Sequence, residues 1–286
     1  MTRRRIVPAI LAVSCLTLGL TLASPAQAQN ARIYNTVKTK LAAGRQVVGA
    51  TITTSDPDIY CSVANSGFDF LWIEMQHSPL SYEQVARMIW ACKDAPAVPF
   101  IRVPDATEGD IQKAMDIGAL GIIIPMVDDV RKAQNAVTFA KYPPVGKRSQ
   151  GGGQYRRIWG EDYRQTINEN LMIVAMIESP AGVAVADKIA AIPGVDVVFV
   201  ASNDLGSFTG YQRDDPRYLK LVDEIKDKTL AAGKFLAGPA AWRDREGYLF
   251  FQGPSEGALI SAGAKQELGA VPPQGRKDVA TGDEAR

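Results

Sequence analysis

The 286-residue sequence predicts an α/β fold, a (β/α)8 TIM barrel, from three observations. Eight apolar segments alternate with segments of helical period. Most of the eight are continuous apolar runs, as expected of parallel strands covered on both faces. Polar or charged residues follow directly on several runs, and in parallel barrels chemistry gathers at those carboxyl ends. Strand count alone does not show closure, so a doubly wound open sheet is the second choice.

The chain opens outside the barrel. Met1–Arg5 is basic, Ile6–Ala23 is apolar, and Ala26-Gln27-Ala28 has the small-x-small pattern of a cleavage site. Residues 1–28 therefore read as a signal peptide cleaved after Ala28, with a periplasmic or secreted mature protein. Thr2-Arg3-Arg4-Arg5 also loosely fits a twin-arginine leader, so Sec and twin-arginine export both stay open.

Residues 29–268 read as one barrel. Val47–Ile52 is the first strand. Phe68–Met75 is the second and leads to His77, the single histidine. Ser81, with Gln84 three residues on, forms a capping box, and Val85, Met88, Ile89 and Cys92 stripe the helix it opens. Val98–Val103 is the third strand; Thr107 caps the next helix, with Ile111, Ala114 and Met115 inward. Leu120–Val127 is the fourth, followed by a helix striped by Val130, Ala133, Val137 and Ala140 and ended by Tyr142-Pro143-Pro144.

A long connection then runs from Lys141 to Leu171 and holds Arg148-Ser149-Gln150-Gly151-Gly152-Gly153-Gln154. No P-loop Gly-Lys-Ser/Thr ending follows. The connection reads as a mobile lid or as a plain flexible loop. Leu171–Ile177 is the fifth strand, and Pro180 suits the first position of a helix. Val195–Ala201, Phe235–Gly238 and Leu249–Gln252 complete the set, with Leu219, Val222 and Ile225 marking a helix between the sixth and seventh. The tail 269–286 is rich in Pro, Gly and charge and is expected to be disordered.

Three of the 32 basic residues lie in the leader, leaving the remainder close to balance with 31 acidic residues. Nothing in that balance calls for nucleic acid, or for a membrane once the leader is removed. Cys61 and Cys92 are the cysteines after the leader; an oxidising compartment permits a disulfide, free thiols are the alternative, and no zinc spacing is present.

The strand ends carry the chemistry. Glu74, Gln76 and His77 follow the second strand, Arg102 the third, Glu178 the fifth, and Asn203 and Asp204 the sixth. Two carboxylates on neighbouring strands can hold a hard divalent cation, Mg²⁺ or Mn²⁺ with Co²⁺ as a further option, with positions left for water and substrate. Arg102 offers a planar fork for a carboxylate or a developing oxyanion. Imidazole is the side chain suited to moving protons near neutral pH. Cation, fork and base together describe enolate chemistry. No lysine ends a strand, which disfavours a Schiff base, and no Gly-x-Ser-x-Gly elbow marks a hydrolase.

"GFDFLWIEMQHSPLS", "PFIRVPD", "MDIGALGIIIPMV", "YPPVGKRS", "VAMIESPAG" and "GVDVVFVASNDLG" occur in order between Gly67 and Gly210. In these the chain resembles the metal-dependent pyruvate aldolases of the 4-hydroxy-2-oxoheptanedioate aldolase and citrate lyase group. The resemblance implies a homo-oligomeric barrel that reversibly cleaves a 4-hydroxy-2-oxo acid to pyruvate and an aldehyde. It implies that Glu178 and Asp204 bind the metal, that His77 is the base, and that Arg102 stabilises the transition state. It gives Asp116 the role of raising the basicity of His77, and Asn203 backbone contacts to the pyruvate end. Asp116 ends a helix that runs away from the mouth, so it either meets a histidine across subunits or simply packs at its helix end. Two residues depart from the group: Met176 stands at a substrate-binding position where Gln is usual, and Glu74 where Asp is common. An exported, non-catalytic metal-dependent binder of 2-oxo acids is the alternative reading. A relative acting on CoA esters is disfavoured, because no basic cluster suits the CoA phosphates.

Overall fold

A computed structural model describes residues 31–269. The expected leader and the expected tail beyond Gly269 lie outside the described residues. In chain order the elements are α1 (Thr36–Ala42), β1 (Val47–Ile52), α2 (Pro57–Ala64), β2 (Phe70–Glu74), α3 (Tyr82–Ala91), β3 (Val98–Arg102), α4 (Glu108–Asp116), β4 (Gly121–Ile124), α5 (Val130–Ala140), α6 (Tyr155–Trp159), α7 (Tyr163–Asn170), β5 (Met172–Ile177), α8 (Pro180–Ala184), α9 (Ala186–Ala190), β6 (Val197–Val200), α10 (Ser202–Thr209), α11 (Pro216–Ala231), β7 (Phe235–Pro239), β8 (Tyr248–Ser255) and α12 (Glu256–Leu268). All eight strands pair in sequence order and in parallel, and β8 pairs with β1. That closure decides between the barrel and the open sheet.

Local sequence accounts for most helix starts. Ser81 and Gln84 form the capping box on α3, Thr107 caps α4, and Ser179 caps α8 with Pro180 following it. α2 is not among the expected helices, although Asp56 caps it and Pro57 opens it. Nor are the short α10 and the terminal α12, whose apolar stripes are weak.

The barrel interior begins with an aromatic floor. Phe70 packs on Phe100 and Phe250 with ring centroids 4.9 and 4.4 Å apart. Gly49 and Gly121 make room for two of these rings. A Cβ at either position would come within 2.2 Å of Phe70 or Phe100. Above this layer Trp72 meets Phe199 edge-on at 5.2 Å.

The connection 141–171 is neither lid nor loose loop. It follows a helix and precedes a strand, so it lies at the floor, the end opposite the mouth. Arg148 is buried there over the rings of Tyr142, Tyr155 and Tyr163. The Gln154 side-chain amide donates to the carbonyls of Ala86 and Ile117 at 3.0 and 2.8 Å. Cys61 in α2 and Cys92 at the end of α3 are joined by a disulfide, their Cα atoms 5.5 Å apart. The disulfide closes the choice that the sequence left open.

Candidate active site

Side-chain alternation carries the interior from floor to mouth. Phe70, Trp72 and Glu74 succeed one another at period two on β2, and Phe100 and Arg102 do so on β3. The phase that turns Phe70 into the core therefore turns Glu74 toward the rim. Register places Glu74 opposite Arg102, and Met176 opposite Phe199.

Arg102 is the hub. Its Nη1 donates to Glu74 Oε2 at 3.2 Å and its Nη2 to Glu178 Oε1 at 3.3 Å. The three side chains are 7%, 6% and 1% exposed, so the cluster is almost free of solvent. Its Nε is buried without a hydrogen-bond partner among the described residues.

Glu74 uses both oxygens. Trp72 Nε1 donates to Oε2 at 3.2 Å. The backbone N–H groups of Gln76 and His77 donate to Oε1 at 2.8 and 3.0 Å. One carboxylate thus fixes both the guanidinium and the turn in which His77 stands. The His77 ring is exposed and has no hydrogen-bond partner among the described residues.

Burial pushes the Glu178 carboxyl up to about 7. Arg102 opposes that rise, the Asp204 charge adds to it, and the Met126 N–H opposes it. Met126 donates that N–H to Glu178 Oε2 at 2.9 Å from a left-handed backbone, φ 51°. Such a conformation costs a non-glycine residue roughly 1–3 kcal/mol. Asp204 sits half-buried in the first turn of α10, and no donor among the described residues reaches its carboxylate. The Asn203 side-chain oxygen accepts from Arg213.

A cavity of about 320 Å³ gathers His77, Arg102, Met176, Asn203 and Asp204 on its walls. Glu178, bonded to Arg102, stands behind that lining. Gln252 and Phe199 also line it and were not expected. Gln252 ends the last predicted strand, so the strand-end rule that found Arg102 and Glu178 would have found it too. Met126 contributes through its backbone, for which the sequence carries no signal.

Asp116 is elsewhere. At the end of α4 on the floor, its Oδ1 accepts from Arg148 Nη2 at 2.7 Å and its Oδ2 from Gln112 Nε2 at 2.8 Å. Within one chain the structure does not bring Asp116 to His77.

The donor set fits a divalent cation. Arg102 is shared between Glu74 and Glu178, no cation among the described residues pairs with Asp204, and the Asp204 charge helps to raise Glu178. Glu178 and Asp204 are thus oxygen donors to which a further cation can be added. Among the described residues no group of three His, Cys, Asp or Glu side chains clusters as a complete protein cage. An ion held by two carboxylates keeps positions for water and substrate oxygens, the habit of Mg²⁺ and Mn²⁺.

The chain is similar to known proteins in sequence and in fold. The model of a family described as HpcH/HpaI aldolase/citrate lyase matches residues 50–238. The hydroxypyruvate/pyruvate aldolase of Chromohalobacter salexigens is 37% identical over 177 residues, which cover 60% of this chain and 70% of that protein. The 2-keto-3-deoxy-L-rhamnonate aldolase of Klebsiella pneumoniae is 30% identical over 224 residues, 76% of this chain and 84% of that one. A solved HpcH/HpaI-type protein from Burkholderia cenocepacia superposes with a TM-score of 0.76 at 25% identity, covering 82% of this chain and 98% of the other.

Proposed function

Because the chain belongs to the HpcH/HpaI aldolase/citrate lyase family and is a carbon–carbon lyase, we propose that it cleaves a 4-hydroxy-2-oxo acid reversibly to pyruvate and an aldehyde. The observation that carries this reading is Arg102 bridging Glu74 and Glu178 beside a cavity walled by His77 and Asp204.

In the cleavage direction the C4 hydroxyl loses its proton and the C3–C4 bond breaks. The aldehyde departs, and the electron pair passes to the pyruvate fragment as an enolate, which is then protonated at C3. His77 takes the hydroxyl proton, since its ring faces the cavity with no competing partner. Arg102 keeps its two carboxylate bonds and borders the cavity, where its charge faces a substrate oxygen. Glu74 positions both groups. Met176 and Phe199 supply an apolar wall, and the start of α10 offers backbone at Asn203 and Asp204 to the carboxylate end. Glu178 and Asp204 would hold the divalent cation, which supplies positive charge where negative charge develops on the 2-oxo oxygen. Asp116 would act on a histidine only across a subunit boundary, which requires a homo-oligomer. The exposed Ile260 and Leu268 on α12 support association. The Cys61–Cys92 disulfide supports the periplasmic or secreted location.

The test is release of pyruvate from 4-hydroxy-2-oxo acids by the purified protein, before and after chelation and with Mg²⁺ or Mn²⁺ returned. Pyruvate should appear with the ion and cease without it. A folded, metal-supplemented protein that releases none from a panel of such acids would overturn the reading.

A further inference from the structure

Gln252 lines the cavity and has no part in the mechanism above. Its amide is held in one orientation. Thr51 Oγ1 donates its single proton to the carbonyl of Gly253 at 3.2 Å, so toward Gln252 it can only accept. Gln252 Nε2 makes that bond, at 3.4 Å. The NH2 edge therefore faces β1, and the carbonyl oxygen, Oε1, is left for the cavity that the residue borders. No donor among the described residues reaches this oxygen.

The backbone is shaped around the same residue. β8 pairs with β1 in register up to Gly49 and Gln252, and the next pair is Thr51 with Ser255. One residue of β1 thus faces two of β8, Gly253 and Pro254, a bulge of the kind that re-aims side chains at barrel rims. Proline has no N–H to lose from the ladder, and a Cβ at Gly253 would come within 2.5 Å of the Gly49 carbonyl oxygen. Just beyond, the buried Glu256 carboxylate accepts the backbone N–H groups of Thr53 and Thr54 at 2.8 and 2.7 Å and clamps the two strand ends together. Gln252 stands on a fixed platform rather than on a loop.

Arg102 and the start of α10 serve the pyruvate half. His77, Met176, Phe199, Pro239 and Gln252 remain for the aldehyde half, and two of these side chains are polar, His77 and Gln252. His77 follows β2 and Gln252 lies on β8, with β1 between those strands. With the C4 oxygen at His77, the carbon attached to C4 has Gln252 as the polar group on its flank.

We propose that Gln252 reads the aldehyde half: Oε1 accepts a hydrogen bond from a hydroxyl on the carbon next to the aldehyde, and this bond fixes the face that the enolate attacks. This rests on the aldol reading above. In the synthetic direction C3 of the enolate bonds to the aldehyde carbon, and the aldehyde oxygen takes the proton back from His77. With that oxygen at His77, exchanging the hydrogen and the carbon substituent presents the opposite face. A hydroxyl held at Gln252 makes one of the two arrangements the better bound; a methyl there leaves Oε1 to water.

The experiment is aldol synthesis from pyruvate with glycolaldehyde and with acetaldehyde, which differ by that hydroxyl, scored by kcat/KM and by the enantiomer ratio at C4. The unaltered protein should give one enantiomer from glycolaldehyde in about threefold to tenfold excess, the worth of one neutral hydrogen bond, and a nearly even mixture from acetaldehyde. Gln252→Met keeps the length and removes the acceptor. It should lower the glycolaldehyde-to-acetaldehyde ratio of kcat/KM by about the same factor, chiefly through KM, and level the enantiomers. If Gln252→Met does not fold, Thr51→Val and Thr51→Ser pose the same question. Valine removes the hydroxyl, frees the amide to turn and should erode the excess; serine keeps the hydroxyl and should keep the excess. An excess and a ratio that survive Gln252→Met, or equal erosion by Thr51→Val and Thr51→Ser, overturn the proposal. So does an equal excess from both aldehydes. Exchange of the pyruvate methyl protons with deuterated solvent needs no aldehyde. Exchange with no dependence of the products on Gln252 sinks its assignment alone; neither exchange nor aldol product in the unaltered protein sinks the reading beneath it as well.

Discussion

The two ends of this barrel treat polar groups in opposite ways. At the floor, buried amides close on one another. Asn170 accepts the N–H groups of Tyr34 and Asn35 at 2.7 and 3.0 Å and donates to the carbonyls of Arg32 and Thr166, both at 2.9 Å. Asn35 donates to the carbonyls of Leu120 and Asn170 and accepts from Val37 and Lys38. Each amide fills all four of its bonding positions. At the mouth the buried groups are charged and share one arginine: Glu74 and Glu178 both accept from Arg102, and Glu178 is pushed up to about 7. Shifted charges gathered beside a cavity mark where chemistry takes place. Full neutral pairing marks Asn35 and Asn170 as residues kept for stability, although the floor also holds unpaired atoms at Tyr142 and Arg148.

The largest effect should come at the mouth. His77→Ala should lower turnover by roughly two to four orders of magnitude, the usual contribution of a positioned acid–base group. Thermal stability and metal binding should hold, because the ring has no partner to lose and the carboxylates stand on other strands. A folded, metal-loaded variant with unaltered cleavage would falsify the catalytic role. The mirror experiment is Asn170→Ala. It strands the N–H groups of Tyr34 and Asn35 and should cost about 3–4 kcal/mol, near 10 °C in Tm for a chain of this size. Activity of the surviving folded protein should be unchanged. A fall in kcat with stability intact would break the comparison from the floor side.

Glu74 tests the boundary between the two regimes. It lies at the mouth yet is saturated like a floor residue, bonded to Trp72, Arg102 and two backbone N–H groups. Glu74→Gln keeps the shape but removes the charge that Arg102 faces. Both readouts should move: about 1–2 kcal/mol of stability and roughly tenfold in kcat/KM. Urea titration and kinetics on the same preparation check this. A change in one alone would assign Glu74 to one regime.

The barrel was legible because parallel strands buried on both faces write continuous apolar runs, and Val47–Ile52 matches its strand end for end. The site was legible at Arg102 and Glu178 for a related reason, since a charge that ends an apolar run has few places to point. The connection holding Arg148 was misread because glycines suggest motion, whereas topology fixes its place. A helix-to-strand connection lies at the floor, and Arg148 packed over three tyrosines holds it there. Met126 was illegible because its contribution is a backbone N–H in a left-handed turn, and methionine does not advertise that conformation.

The smallest effect should come from Met176, the one apolar side chain on the cavity wall that stands where the family usually has an amide. It is 2% exposed and lies opposite Phe199 in the register. Met176→Gln places a donor and an acceptor on an otherwise apolar stretch of wall. If the mouth is open by design, the new amide finds water or substrate at once, because the cavity beside it is solvent-sized. Stability should then move by less than about 1 kcal/mol, the range of a volume-conserving change. Rates should move by roughly threefold to tenfold, and unequally among aldehydes, because the amide gains a bond only with those that present an oxygen to it. The same substitution on the floor side, Met172→Gln in the sealed start of β5, has no such outlet and should cost about 2–3 kcal/mol for an amide buried without partners. Kinetics with several aldehydes and a pair of denaturation curves settle the matter. If Met176→Gln destabilises as much as Met172→Gln, the wall at Met176 is closed like the floor, and the boundary between the two regimes lies higher in the barrel than Arg102 and Glu74 suggest.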